Sequence, residues 1–259
     1  MTDYEHILVQ ANDGIFSVTL NRPEILNAAN DNMLHELNAA FLDFDADDEL
    51  HVAIIQGAGR AFCSGADVRQ RQLRPPEEMK RLGGPGGGAP LNVFDSVNWK
   101  PVISAVHGYA IGLGYGLAMG ADIVVAAEGT QFQNRETQRG ISGAGGWART
   151  WFWSGDRFSS EISLTSRMFT AEEALTHGLI NYITPLEDLY DKAEELARQI
   201  MENPPLSVRA TVRPMRHAAK RFGEDAGYYV QGRALHLTED FRESATAFME
   251  KRKAVFKGK

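Results

Sequence analysis

The chain alternates between short apolar runs and longer segments in which apolar residues recur every three or four positions. Residues 15–20 (IFSVTL) alternate and are rich in β-branched side chains. Residues 52–55, 102–106 and 123–127 are apolar runs that end near glycine, so each of these segments is predicted as a strand. Between the first two, residues 32–45 place Met33, Leu37, Phe41 and Phe44 on one helical face. Strands separated by helical segments predict crossover units in an α/β architecture. After Pro185 the pattern turns helical: residues 186–201 form one segment, Pro204 and Pro205 break it, and helices follow almost to the end. This divides the chain into a core, residues 1–202, and a helical region, residues 203–259, which packs on the core or on another subunit.

Composition narrows the class. A chain of 259 residues, 43% of them hydrophobic, is long enough to bury a substantial core. Its net charge of −7 argues against nucleic acid, whose phosphates need a basic footprint. Cys63 stands alone, which excludes a disulfide framework and fits a reducing compartment. The N-terminus has no basic and apolar leader, and the most apolar stretch, residues 108–121, is interrupted by five glycines and too short for a membrane span. The expectation is a cytoplasmic enzyme or binding protein with no membrane partner.

Two glycine-punctuated turns carry the chemistry. Residues 108–120 (GYAIGLGYGLAMG) follow a predicted strand and lead into a helical segment, and residues 57–67 (GAGRAFCSGAD) form a second turn after a strand. Such turns bring backbone close to a ligand and leave N–H groups free for negative charge. Two of them could offer one N–H each to a single oxygen, forming an oxyanion hole. A dinucleotide fingerprint fails because Leu117 stands where the third glycine belongs, and a phosphate loop is absent. The seven histidines offer no pair at metal-ligand spacing, so no metal is expected, and residues 140–144 miss the nucleophile elbow at Ala144. Cys63 reads as an inert buried thiol. The glycine-rich segment 83–90 is expected to be a mobile loop, either a plain connection or a lid. Trp147, Trp151, Phe152 and Trp153 suggest core or interface packing, or else a wall of an acyl pocket. Arg209, Arg213, Arg216 and Lys220 are expected on a solvated face in a segment interrupted by Pro214.

Residues 21–28 (NRPEILNA), 59–67 (GRAFCSGAD), 101–106 (PVISAV), 108–122 and 247–253 (AFMEKRK) together resemble the crotonase, or enoyl-CoA hydratase/isomerase, superfamily, in its order and over essentially the whole chain. The resemblance implies a spiral of ββα units, a helical C-terminal region that mediates a homotrimer or a dimer of trimers, and an acyl-CoA substrate. Coenzyme A would enter as part of that thioester, with no separate cofactor. The paired N–H groups of the family fall on Ala66 and Leu113, the latter replacing a more usual glycine. By the same carry-over Leu26, Ala28, Ala66, Asp67, Val68 and Arg69 line the CoA path, and Lys251 reaches the adenosine phosphate of a neighbouring subunit. Read without the resemblance, Lys251 belongs equally to a solvated face.

Family hydratases place two glutamates about the substrate. Gly116 occupies the first position and has no side chain, whereas Glu136, in residues 134–140 (NRETQRG), matches the second. Arg135 replaces the usual proline, and the following segment is one residue shorter than the pattern. A single carboxylate suits a proton shuttle best, so isomerisation of an enoyl-CoA with Glu136 as acid and base is the first expectation. Hydration, hydrolytic C–C cleavage of a cyclic or polar acyl-CoA, and a non-catalytic acyl-CoA-binding paralogue remain alternatives. Arg139 is a possible partner that would lower the pKa of Glu136.

Overall fold

The computed structural model describes residues 3–84, 87, 89, 94, 99–155, 157–230 and 234–259. Strand β1 (Ile7–Asn12) turns through Asp13 and Gly14, both at positive φ, into the antiparallel strand β2 (Ile15–Leu20), the two-residue hairpin that an Asp-Gly pair favours. Helix α1 (Asp31–Ala46) starts where the Asn30 side chain accepts a hydrogen bond from the Met33 N–H, and it buries Met33, Leu37, Phe41 and Phe44 as the periodicity requires. Strand β3 (Val52–Gly57), a π-helical turn (Val68–Gln72) and α2 (Pro76–Arg81) follow. Half of the segment 83–90, residues 85, 86, 88 and 90, lies outside the described residues.

Strand β4 (Val102–Val106) leads to the three-residue β5 (Tyr109–Ile111) and helix α3 (Leu113–Ala118); β6 (Ile123–Ala127) leads to β7 (Gln131–Gln133). Then come α4 (Ala144–Ser154), α5 (Arg157–Thr165), β8 (Phe169–Thr170), α6 (Ala171–Thr176) and β9 (Tyr182–Thr184). The chain closes with α7 (Leu189–Met201), α8 (Pro205–Tyr228) and α9 (Glu239–Met249).

Two sheets form the core. The larger has the order β1-β2-β3-β4-β6-β9 and is parallel beyond its first pair; the smaller has the order β5-β7-β8. Bridges from Cys63 to Ala110 and from Ala29 to Ala66 extend the smaller sheet. Each of β2, β3, β4 and β6 is thus followed by a short extended piece in the second layer, which is the expected spiral of ββα units. Val52, Ile54, Ile103 and Val125 pack one face of the larger sheet against Leu189, Ala193 and Leu196 of α7. The opposite face packs with Phe16, Phe41 and Phe44, where the Phe16 and Phe44 rings stack at 5.3 Å. Burying one such side chain contributes roughly 1.5–3 kcal/mol, so strands covered on both faces are strongly held.

The C-terminal region departs from expectation at Pro214. Helix α8 runs unbroken through it, and Val212 and Arg216, one turn apart, are buried on the same face. Arg216 ion-pairs with Asp122 and donates to the carbonyl of Lys100, so it is a buried anchor and not part of a solvated face. Arg213 lies 3.8 Å over the Trp99 ring. This anchoring outweighs the single N–H that proline removes from the helix. Trp147 stacks on Trp151 at 5.8 Å and meets Phe222 of α8 at 5.9 Å, which gives the tryptophans a packing role between α4 and α8. No helix among the described residues is long and apolar enough to cross a membrane.

Candidate active site

The two glycine turns, far apart in sequence, lie side by side. Cys63 N–H donates to the Tyr109 carbonyl (2.9 Å) and the Cys63 carbonyl accepts from Ile111 N–H (3.0 Å), so the 57–67 turn runs along β5. Gly65, at φ +113°, presses on the same strand: a Cβ there would lie 3.0 Å from the Ile111 carbonyl oxygen. Gly114 brings α3 against this turn, since a Cβ on it would lie within 2.2 Å of the Cys63 carbonyl oxygen. The glycine spacing therefore fixes a close approach between helix and strand that no side chain permits.

In the parallel bridge between Ala29 and Ala66, the Gly65 carbonyl and the Asp67 N–H face Ala29 (2.8 and 2.9 Å), which leaves the Ala66 N–H on the opposite side. Leu113 is the first residue of α3, and its N–H has no intrahelical acceptor. Neither group donates to a backbone carbonyl among the described residues. The Leu113 side chain packs partly buried against the core, which provides the room its size demands.

Strand β7 delivers Glu136 to this place. It pairs with β5 in parallel register, and Gln133 accepts from Gly112 N–H (2.8 Å). Glu136 Oε1 lies 3.7 Å from where a Cβ on Gly112 would be, and Glu136 Oε2 is buried with no hydrogen-bond partner among the described residues. Burial pushes the carboxyl above the usual glutamate range, against weaker opposing effects from nearby backbone N–H groups and the charge of Arg149. Arg139 does not pair with it. Its guanidinium instead donates to the Ser244 carbonyl (3.2 Å).

In α3, Gly116 faces open space, with no described heavy atom within 4 Å of a Cβ built there, the helix's own nearby backbone aside. Arg149 of α4 donates to the Gly116 carbonyl (2.5 Å), and Tyr115 hydrogen-bonds Thr150 (2.6 Å). Arg149 escaped the sequence reading because nothing in its helix links it to Gly116.

The segment 22–28 is pinned beside the 57–67 turn. Leu26 and Asn27 both have positive φ, and Asn27 holds the strain with bonds from Arg22 N–H and to the carbonyls of Ala58 and Ala61. Arg22 donates to the Ala28 carbonyl and sits 3.4 Å from Asp67. Leu26, Ala28, Ala66 and Asp67 are thus neighbours, with Val68 opening the π-helical turn and Arg69 exposed. Asp67 is occupied by Arg22 and by capping Gln70 N–H. Lys251 is exposed just beyond α9, at φ +54°. Cys63 is fully buried with its thiol pushed up to about 11, as an inert thiol should be.

Behind the Ala66 turn, Asp31 pairs with both Arg71 and Arg74, which are almost completely buried. This cluster was also unread in the sequence. Only the π-helical turn brings both arginines to one carboxylate.

Known proteins agree with this architecture. The Enoyl-CoA hydratase/isomerase family model matches residues 10–259. A carnitinyl-CoA dehydratase of Escherichia coli is 36% identical over 263 residues, covering 98% of this chain and 99% of that protein. The solved structure of a carnitinyl-CoA dehydratase from Mycobacterium avium has a TM-score of 0.81 at 31% identity, covering 98% of this chain and 99% of the other. An enoyl-CoA hydratase structure from Mycobacterium avium subsp. paratuberculosis has the same TM-score at 27% identity, covering 98% of this chain and 100% of the other. The chain belongs to the enoyl-CoA hydratase/isomerase family and is a crotonase-superfamily enzyme.

Proposed function

We propose that the chain isomerises the double bond of an enoyl-CoA, using Glu136 as its single acid and base. The observation that carries this reading is one buried carboxylate oxygen of Glu136, without a hydrogen-bond partner among the described residues, beside the Gly112–Leu113 turn, together with the absence of a side chain at Gly116. Glu136 takes a proton from C2 of a 3-enoyl thioester, the electron pair delocalises onto the thioester oxygen, and the same proton returns to C4 to leave a 2-enoyl thioester. The N–H groups of Ala66 and Leu113 receive the developing oxyanion. Donors of this kind are each worth about 10²–10³ in rate. The raised affinity of Glu136 for protons suits a group that must both accept and return one.

Leu26, Ala28 and residues 66–69 form the wall along which CoA would lie, with Lys251 meeting its phosphate in a homotrimer or dimer of trimers. Coenzyme A is part of the substrate, and no further cofactor enters this reaction.

Dehydration of a 3-hydroxyacyl-CoA, or the reverse hydration, is the second reading, favoured by the dehydratase names of the relatives at 36% identity. It needs Glu136 to serve both the α-carbon and the departing hydroxyl. Purified protein given a 3-enoyl-CoA and, separately, crotonyl-CoA separates the two readings by mass spectrometry. Conversion of the first to a 2-enoyl-CoA faster than hydration of the second supports isomerisation. The opposite order supports hydration, and no turnover of either overturns both.

A further inference from the structure

The turn that presents Glu136 rests on one face of α9. Phe241, Ser244 and Phe248 recur there at helical spacing. Gly140, at φ +74°, fits against Phe241, where a Cβ would lie 2.9 Å from the Phe241 Cα. Ser244 Oγ donates to the Arg139 carbonyl (2.9 Å), while Arg139 Nη1 donates to the Ser244 carbonyl (3.2 Å). The Phe248 ring receives both arginines that flank the glutamate, Arg139 at 4.0 Å and Arg135 at 5.2 Å from its centroid. Attraction between a guanidinium and an aromatic face competes well where the cation is partly desolvated.

The flanking arginines are thus directed away from the carboxylate they adjoin in sequence. Among the described residues Arg135 donates to the Gln138 side chain and Arg139 to the Ser244 carbonyl, and neither pairs with Glu136. The other titratable groups around Glu136 are Arg149 from α4, held at the Gly116 carbonyl, and the Tyr115 hydroxyl from α3, held by Thr150. From the π-helical turn, Arg71 is held by Asp31.

The geometry points to Phe248 as a positioning residue that holds Arg135 and Arg139 on its ring and so keeps Glu136 available as a base. This rests on the reading of Glu136 as the acid and base, and it makes the C-terminal helix a determinant of proton transfer. With the ring gone, two cations return to the neighbourhood of the carboxylate and favour its charged form, which makes it a weaker base.

The test is a titration of ¹³C-labelled glutamate carboxyls by NMR in the full-length chain, with the Glu136 signal assigned from Glu136→Gln. Phe248→Leu keeps an apolar contact at a half-exposed position but lacks the aromatic face. It should move the Glu136 titration down by about one pH unit, and the acid limb of kcat with it. Phe248→Tyr should titrate like the parent. Adding Arg135→Gln and Arg139→Gln to Phe248→Leu should remove the shift. An unshifted Phe248→Leu, or a shift that survives loss of both arginines, overturns the inference. If Phe248→Leu does not fold, a Phe248→Tyr that titrates unlike the parent overturns it as well. Because the titration needs no turnover, full activity in Glu136→Gln would overturn the functional reading separately.

Discussion

Glu136 faces Gly112 across the join between β7 and β5, with its Oε1 3.7 Å from the position of a Cβ on that glycine. Any side chain at 112 would have to share this space. The arrangement sets a carboxylate with one partnerless oxygen among the described residues beside the N–H of the next residue, Leu113, so a base and a hydrogen-bond donor share one narrow region. The cost is a buried acid held above its ordinary pKa.

That cost gives a prediction that separates activity from stability. A carboxyl with a raised folded pKa contributes stability that is fully present below its unfolded value and is lost as pH rises through the folded value. Glu136→Gln mimics the neutral acid at every pH. It should lower turnover by about 10²–10⁴-fold yet melt at a higher temperature than the parent at pH 8, with the gap closing towards pH 4. Scanning fluorimetry across that range checks it; a variant less stable than the parent at pH 8 refutes the assignment of burial as the dominant cause.

Gly116 predicts a gain. Its absent Cβ would touch nothing within 4 Å among the described residues, so Gly116→Glu can be accommodated without a clash at its root. The added carboxylate would start from a backbone whose carbonyl already accepts from Arg149. Hydration of crotonyl-CoA should rise by about 10²-fold, the lower end of what a positioned acid or base supplies. An initial-rate comparison with the parent protein measures this directly.

Leu113 can be tested through its backbone. At the first position of a helix, proline removes an N–H that has no intrahelical partner and keeps a compatible φ. Leu113→Pro should therefore leave the melting temperature nearly unchanged while lowering kcat by about 10²–10³-fold. A comparable loss in Leu113→Ala, which keeps the N–H, would place the effect in the side chain instead.

How legible this site was in the sequence depended on the range of the contacts involved. The strands at 52–55, 102–106 and 123–127 and the buried face of α1 follow from local periodicity and stand where it put them. Strands β5 and β7 have three residues each, too few to show alternation, and exist through their pairing. The approach of the 57–67 turn to α3 depends on bonds between Cys63 and β5 that no spacing encodes. Glu136 could be found by motif, but its neighbour Arg139 suggested an ion pair. That reading fails because Arg139, with Arg135, lies on Phe248, a residue of a distant helix. Pro214 misled in the opposite direction, since Arg216 holds α8 to the core beyond it.

The Asp31 cluster behind the Ala66 turn gives the last prediction. Two nearly buried arginines share one carboxylate, so their positive charge is only half offset within the cluster; Arg74 also donates to the carbonyls of Gln70 and Gly87. Burial lowers the proton affinity of Arg71, with the neighbouring Arg74 acting in the same direction and Asp31 against it. Removing the carboxylate leaves two cations facing each other out of water, and breaking such a pair costs about 3–5 kcal/mol. Asp31→Ala should therefore destabilise strongly in a urea melt. Replacing the partner with an apolar residue of similar length removes one of the stranded charges, so Asp31→Ala with Arg71→Met should recover part of the loss. A double variant no more stable than Asp31→Ala would mean that the capping environment of α1, rather than the buried charges, sets the cost.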